Sequence, residues 1–382
     1  MYRLGKLASA AAVAMTIVWS GAAAASAEDA VEVGVLLPLS GANASAGAKA
    51  LHGVDAALAE INAFGGVLGG REFKLIIEDT ESKPQAGIEA VRKLVDVNDV
   101  PLVLGAISSS VTIPTGKYTV SKGKNQITIA ATSEAQREIG DGLFTMLATN
   151  SVLGRGLAEF VAEDAKPQRV ALFYMNDPFG VGMARATGDA LKAQNIEIAA
   201  DLAYEPAKTD YRAELQRLAQ SNPDAIVAVS FGETARVIFK QAYELGLMDK
   251  VRGKWYQPYI ANPAGRCIPE VCEGIKGVDI AAEPGPRYDS VLAKIAESAG
   301  EDVQLDWFTS VGYDVVWVAA LAINLANSTD PAKIRAAIPK AMEIYRGITK
   351  SDFSVDADGV QVNQRFGRRI YKDSALVDYL VE

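Results

Sequence analysis

Residues 100–114, VPLVLGAISSSVTIP, form the stretch from which the fold of this chain is predicted. The first eight of them are almost wholly apolar and rich in β-branched side chains, which is typical of a buried parallel strand. Three serines, Thr112 and Pro114 follow, and such residues favour the first turn of a helix. The stretch therefore predicts a strand that leads into a helix, whose regular part we place at 115–121.

The first turn of this predicted helix combines several groups that attract an anion. Its amides have no acceptor within the helix, and the helix dipole adds positive charge at that end. The serine hydroxyls at 108–110 supply further donors. This combination favours binding of a small carboxylate, although an ordinary capped helix start without a ligand contains the same residues.

Strands and helices alternate on both sides of the stretch. Before it, the pattern predicts a strand at 31–37, a helix that ends near Asn62, a strand at 72–78 and a helix at 84–96. After a strand at 126–130 the alternation starts again. This second series comprises helices and strands at 150–165, 170–174, 182–194, 196–203, 211–220, 225–229 and 234–245. We interpret the two series as two α/β lobes, each with a parallel sheet.

The position of a ligand site follows from this architecture. In an open α/β sheet the ligand lies beyond the carboxyl ends of the strands. Two lobes that face each other would therefore place the serine turn, the loop after Ala130 and the loop after Tyr174 around one cleft.

The first 27 residues have the three parts of a secretory signal peptide. Arg3 and Lys6 precede an apolar run at 7–19, and the tract ends in an A-x-A sequence at 25–27. The run is shorter than the ~20 apolar residues that a membrane span needs. We predict cleavage after Ala27 and a secreted mature protein that is not embedded in a membrane.

Charge and length narrow the class of protein. The net charge is −9, and removal of Arg3 and Lys6 with the signal peptide makes it −11. This acidic balance argues against nucleic acid or an anionic membrane as the partner. The 355 residues that follow the peptide exceed one ordinary core, so we predict two domains.

Cys267 and Cys272 are the only cysteines of the sequence. In the oxidising environment of a secreted protein they are expected to form a local disulfide that closes a short loop. Their spacing does not suit a zinc site, and two thiols do not make a metal cage.

The chain is poor in residues that catalyse reactions. His52 is the only histidine, and the sequence contains no G-x-S-x-G elbow, no G-x-x-x-x-G-K-[ST] phosphate loop and no G-x-G-x-x-G after a strand. We therefore predict no catalytic residues, no metal and no cofactor. A secreted enzyme that uses carboxylates such as Asp79 and Glu283 is the alternative from another class.

Seven segments, each unspecific alone, are specific in their order and spacing. They are VGVLLPLSG (33–41), residues 53–66, IIEDTESKPQAGIEAVRKLV (76–95), LGAISSS (104–110), IAATS (129–133), DPFGVG (177–182) and KQAYELGL (240–247). Together they resemble the type I periplasmic solute-binding proteins of ABC transporters, most closely the leucine/isoleucine/valine-binding group. The resemblance covers nearly all of the mature chain.

This resemblance implies a fold of two Rossmann-like lobes that are joined by three crossovers and close on a ligand between them. It assigns residues 28–148 and 280–356 to the first lobe, and 149–279 and 357–382 to the second. It also implies a periplasmic receptor that delivers a small molecule to an inner-membrane ABC permease, and we expect a monomer.

The family's ligand contacts can be transferred position by position. The carboxylate of an amino acid is held at the strand–serine–helix turn, which matches Ser109 with Ser110 beside it. A backbone carbonyl and a threonine of the next loop match Ala130 and Thr132. Contacts from the second lobe match the aromatic residue Phe179 and the strand end with Phe231 and Gly232.

Departures from the family's pattern point to a different ligand. The acidic residue that pairs with the ligand's α-ammonium falls near Tyr259, where no carboxylate stands, and burial of an ammonium without a counter-charge is costly. In the first loop, which contributes Asn43, an aromatic residue is replaced by Ala46, and this enlarges the pocket. Phe179, Phe231, Tyr256 and Tyr259 are then expected to line an apolar slot, or else simply to pack.

The resulting expectation is a receptor for a small carboxylate with an aromatic or bulky apolar body and no α-ammonium. The alternative within the class is a receptor for a branched-chain amino acid or amide, with the ammonium met by Glu233 or Asp177. A sensor that hands its ligand to a membrane kinase has the same sequence features.

Overall fold

Two β-sheets covered by helices make up the computed structural model, which describes residues 30–206, 208–260, 268–280, 285–299 and 305–381. The predicted α/β fold with two parallel-sheet lobes is confirmed. The predicted signal peptide lies outside the described residues, as does Cys267. Cys272 is disulfide-bonded.

The first sheet has five parallel strands in the order β2-β1-β3-β4-β5. The strands are β1 (Val31–Leu37), β2 (Phe73–Asp79), β3 (Leu102–Leu104), β4 (Asn125–Thr128) and β5 (Leu143–Thr145). The helices between them are α1 (Ala44–Ala63), α2 (Pro84–Arg92), which continues as a π-helical turn to Val97, and α3 (Ser109–Ser121). The inner strands β1 and β3 are buried on both faces, which explains their nearly continuous apolar sequences, whereas the edge strand β2 is partly exposed.

The second sheet has seven strands in the order β12-β11-β10-β9-β8-β6-β7. They are β6 (Arg169–Met175), β7 (Glu197–Tyr204), β8 (Ala225–Val229), β9 (Trp255–Pro258), β10 (Lys276–Asp279), β11 (Gly367–Lys372) and β12 (Ala375–Asp378). The first five are parallel, whereas β11 and β12 pair antiparallel at one edge. The helices are α4 (Asn150–Ala165), α5 (Pro178–Ala193), α6 (Arg212–Gln220), α7 (Gly232–Glu244), α8 (Leu247–Lys250) and α9 (Pro269–Cys272).

Three further helices return to the first sheet. They are α10 (Tyr288–Ala299), α11 (Trp307–Ala326) and α12 (Pro331–Ile344). Helix α11 packs along α1 and α12. It is long and apolar enough to span a membrane, but 78% of its most apolar window is buried inside the protein, which is the pattern of a core helix.

The order of elements along the chain takes it between the two sheets three times, after β5, after β10 and after α12. The first and third passages pair at a bridge between Ala148 and Gln361. The third also contacts the second, because Gln364 Nε2 donates to the Ile280 carbonyl at 3.4 Å. The three connections therefore lie side by side, and we refer to them together as the hinge.

Several elements differ from the sequence prediction. Helix α5 begins at Pro178 and not at the predicted 182. Helix α3 begins at Ser109 and not at the predicted 115; Pro114 lies inside it, where it removes one backbone hydrogen bond without ending the helix. Strands β5 and β9 were not predicted. The first is only three residues long, and the second, WYQP, combines two aromatic residues with a polar one and a proline, which gives no apolar run.

Candidate functional site

A cavity of about 180 Å³ lies between the two sheets, at the carboxyl ends of their strands. The first lobe contributes Ala42, Asn43, Ala46, Ser82, Ile107, Ser108, Ser109, Ser110, Ala130, Trp307 and Phe308, and the second contributes Met175, Asp177, Phe179, Pro206, Phe231, Thr234 and Tyr259. Its size is below the roughly 300–1,000 Å³ typical of sites for drug-sized ligands, which indicates a small ligand.

The serine turn forms one wall of this cavity. Ser108 is extended (φ −87°, ψ 143°) and precedes α3, so Ser109 and Ser110 are its first two residues. The Ser108 carbonyl accepts from the amides of Val111 and Thr112, at 3.2 and 2.9 Å. The amides of Ser109 and Ser110 meet no acceptor within the described part of the chain. The two amides are thus available to a ligand, as the strand–serine–helix pattern predicts.

Thr132 lies behind this wall and does not line the cavity. It is fully buried, and its amide donates to Ser109 Oγ at 3.3 Å. Its hydroxyl donates to Asn150 Oδ1 at 2.7 Å. Ser109 Oγ also accepts from the Ser133 amide at 3.2 Å. The donors that sequence reasoning assigned to the ligand are therefore engaged with the protein itself, because the two loops bind each other.

Asn150, the first residue of α4, joins the two lobes beneath the cavity. Besides accepting from Thr132, its amide nitrogen Nδ2 donates to the Phe179 carbonyl at 3.1 Å. Gly182 leaves room for this side chain, since a Cβ there would lie 2.5 Å from Asn150 Nδ2. The first turn of α5 and the loop after β4 are thereby held together by one buried side chain.

Aromatic rings form the apolar part of the wall. Phe179 and Phe231 have ring centroids 4.8 Å apart, and Tyr259 stacks on Phe231 at 6.0 Å. Tyr259 also contacts Trp307 of the first lobe at 5.1 Å. Of the four residues predicted for the slot, Phe179, Phe231 and Tyr259 line the cavity, and Trp307 and Phe308 extend the wall. Tyr256 does not line it, because this residue is buried within β9 and its hydroxyl donates to Asp164.

The first loop and the loop after β8 meet at the mouth. Asn43 and Ala46, which sequence reasoning assigned to the site, line the cavity, and the Asn43 amide donates to Ser82 Oγ at 3.0 Å. Gly232 does not line it. It is the first residue of α7 and has a φ of +49°. A Cβ at this position would lie 3.5 Å from the Ala42 carbonyl oxygen of the other lobe. Loops of both lobes therefore touch, and the structure represents a closed cleft.

Trp307 and Phe308 were not expected in the site, and Asp177 was expected there only as the partner of an ammonium if the ligand is an amino acid. The two aromatic residues begin α11, far along the sequence from the serine turn, and no local signal marks them. Trp307 is 2% exposed, and its indole Nε1 finds no acceptor among the described residues. An indole N–H that is buried without an acceptor is costly, so a ligand acceptor at this wall would satisfy it.

Carboxylates outside the cavity have structural partners. Glu233 pairs with Arg236 and does not line the cavity. Asp79 accepts from Leu39 N, Ser40 N, Ser40 Oγ and Glu81 N at 2.7–3.2 Å. Burial raises the pKa of Asp79, but these hydrogen bonds outweigh that effect and hold the pKa below its ordinary value. Asp79 therefore anchors the loop. Glu283 lies outside the described residues.

The position of His52 and the arrangement of possible metal ligands can also be described. His52 lies in a groove between α1 and α10, away from the cavity. In the described ranges, no group of three or more His, Cys, Asp or Glu side chains is arranged to hold a metal ion.

Comparison with known proteins identifies a family whose model matches this chain. A family model described as periplasmic binding protein matches residues 30–368. The Leu/Ile/Val-binding protein of Escherichia coli K12 is 28% identical over 316 residues, which are 81% of this chain and 82% of that protein.

Two solved structures share the fold. A solute-binding protein of an ABC transporter from R. palustris, in complex with benzoate, has a TM-score of 0.80 at 20% identity and covers 91% of this chain and 95% of its own. A branched-chain amino acid transporter substrate binding protein from Streptococcus pneumoniae, in complex with isoleucine, has a TM-score of 0.80 at 22% identity and covers 91% and 97%.

Proposed function

The chain belongs to the periplasmic binding protein family, and from this premise we propose that it is the receptor of an ABC importer for a small carboxylate with an aromatic or bulky apolar body. It is a solute-binding protein and not an enzyme. The mature protein works in the periplasm as a monomer and delivers its ligand to an inner-membrane permease.

The observation that carries the proposal is the composition of the cavity wall. Three N–H donors without an acceptor in the described chain, those of Ser109, Ser110 and Trp307, stand beside five aromatic rings. Hydrogen bonds to a charged acceptor contribute ~1.5–3 kcal/mol each, so three of them supply about 4.5–9 kcal/mol, and contacts with the rings add to this towards the ~8 kcal/mol of a micromolar affinity. The rings match a flat apolar body.

Closure follows from the position of the ligand. The donors belong to the first lobe, whereas Phe179, Phe231 and Tyr259 belong to the second. A ligand that touches both walls binds the closed arrangement better than an open one, so it shifts the population towards closure about the hinge.

One observation favours a second candidate, a receptor for branched-chain amino acids. Asp177 lines the cavity, whereas Glu233, the other residue considered for the ammonium, does not. A carboxylate at this wall provides a counter-charge for an α-ammonium. The E. coli relative is named for leucine, isoleucine and valine, and the R. palustris structure contains benzoate, so both ligand classes occur among similar proteins.

A ligand panel separates the two candidates. We expect benzoate and 3-phenylpropanoate, or hydroxylated forms of them, to raise the melting temperature of the mature protein by a few degrees at ~100 Kd, since binding then adds ~2.7 kcal/mol. Leucine, isoleucine and valine at the same concentrations are expected to change it by less than a degree. Stabilisation by leucine or valine, with no effect of aromatic acids, would reverse this assignment.

Trp307→Phe tests the donor in the wall. The change keeps an aromatic ring and removes only the N–H, so we expect about 10- to 100-fold weaker binding of the acid, as for loss of one hydrogen bond to a charged group. Isothermal titration calorimetry measures this change.

Trp317→Phe is the matched control. Trp317 packs beside Phe64 on the outer side of α11, so its exchange is expected to leave affinity unaltered. Equal affinities of wild type and Trp307→Phe would show that the indole does not contact the ligand.

A further inference from the structure

Asp177 is the only side chain with a formal charge among the described residues that line the cavity. We propose that its carboxylate accepts a hydrogen bond from a donor group of the ligand, a hydroxyl or an ammonium, so that the receptor selects acids that carry such a donor. This inference rests on the proposed function and specifies the ligand class of the same site.

Asp177 has a structural role that one oxygen fulfils. It caps α5, and its Oδ1 accepts from the Gly180 amide at 2.7 Å. Pro178, the first residue of the helix, has no N–H to offer. Among the described residues the carboxylate receives hydrogen bonds only from amides of the helix that it caps, Gly180 and Phe179, and from no side chain. A serine would cap the helix nearly as well.

The surroundings make a bare carboxylate unfavourable here. Burial raises the pKa of Asp177, and its neighbours in the wall include Met175, Phe179 and Phe231. A ligand without a donor would bury this carboxylate further without pairing it, and would place a second negative charge in the same cavity. A ligand with a hydroxyl or an ammonium donates a hydrogen bond to this carboxylate. The receptor therefore binds such a ligand more tightly than a ligand without a donor.

Asp330 shows what the same motif does as a cap alone. Like Asp177 it precedes a proline at the start of a helix, and its Oδ1 accepts from the Lys333 amide at 3.0 Å. Asp330 is exposed to solvent and does not line the cavity. The two residues therefore share the capping role and differ in access to a ligand.

The experiment compares two pairs of acids by calorimetry with the wild type, Asp177→Ser and Asp330→Ser. The first pair is benzoate and a hydroxybenzoate, tested as both the 3- and the 4-hydroxy isomer, and its members differ by a hydroxyl. The second is 3-phenylpropanoate and phenylalanine, which differ by an ammonium. We expect the wild type to bind the donor-bearing member of one pair at least about tenfold more tightly than its parent.

In Asp177→Ser this ratio is expected to fall below threefold through weaker binding of the donor-bearing acid, while the parent acid binds equally or more tightly. Asp330→Ser keeps the wild-type ratio. A preference in the first pair identifies a hydroxyl as the donor, and a preference in the second identifies an ammonium.

Two results overturn the inference alone: parent acids that bind as tightly as their derivatives, or a preference that persists unchanged in Asp177→Ser. If no acid of either pair binds, the proposed function fails together with the inference. Melting temperatures of both serine variants are measured alongside, and a similar small decrease in the two shows that only the cap was weakened.

Discussion

Gly53→Ala is expected to destabilise the protein by about 3 kcal/mol or more and to abolish ligand binding. Gly53 lies in α1, where the helix crosses α11, and a Cβ there would lie 1.9 Å from the Thr309 carbonyl oxygen and 2.7 Å from the Tyr313 amide nitrogen. Both are backbone atoms, which cannot move aside as a flexible side chain does. The two helices must therefore separate.

Separation of α1 from α11 would also change the wall of the cavity. Helix α11 begins with Trp307 and Phe308, and the first turn of α1 contains Ala46, all three in the wall. Any shift of α11 along α1 displaces the indole from Tyr259. Loss of stability and loss of binding are thus expected together.

Urea unfolding and calorimetry measure these two effects, and Gly156→Ala is the matched control. In α4 a Cβ at Gly156 would approach only the Phe366 ring, at 3.3 Å. Because alanine favours a helix over glycine by up to ~1 kcal/mol, we expect this variant to be as stable as the wild type or slightly more stable. A Gly53→Ala protein within 1 kcal/mol of the wild type would contradict the packing argument.

Asp279→Asn is expected to have the second largest effect on the free energy of unfolding. Unlike Gly53→Ala, it is expected to stabilise the protein, and to do so at alkaline pH. Asp279 ends β10, is 2% exposed, and its Oδ1 accepts from the Ile280 amide at 2.8 Å. Burial raises its pKa to about 7. Of the charged groups near it, Arg369 favours the carboxylate, whereas Asp306 disfavours it.

The sign of the pH dependence follows from this shift. Since the folded pKa lies above the unfolded value of 3.8, the folded state binds the proton more tightly. The stability that this provides is fully present below pH ~4 and is lost as the pH rises towards 7. With ~1.4 kcal/mol per pKa unit, the cost of the charge above pH 7 is on the order of 4 kcal/mol.

An asparagine keeps an acceptor for Ile280 and carries no charge. At pH 8 we expect Asp279→Asn to be more stable than the wild type by up to about 4 kcal/mol, and at pH 4 to be equal to it. Urea unfolding from pH 4 to 8 tests this, with the surface variant Asp141→Asn as a control that keeps the wild-type slope. An unchanged slope in Asp279→Asn would show that another group titrates.

Much of the fold could be predicted from the sequence because its signals are local. The apolar run before the serines, the capping residues of α3 and the strand–helix alternation each depend on neighbours within one or two turns. Only elements with weak local signals were missed, such as β9 with its Gln257 and Pro258. The second-lobe aromatic residues Phe179 and Phe231, which also line the cavity, were assigned to the site through the family resemblance and not through a local pattern.

By itself, the sequence determined a two-lobe α/β protein with a serine turn at the carboxyl end of a buried strand. Only the tertiary structure decided which donors of that turn face a ligand, because Ser109 Oγ is taken by the Thr132 amide from a neighbouring loop. It also brought Trp307 and Asp177 into one wall. These residues belong to different lobes and are far apart along the chain, so their proximity depends on how the lobes close, a property that no local pattern encodes.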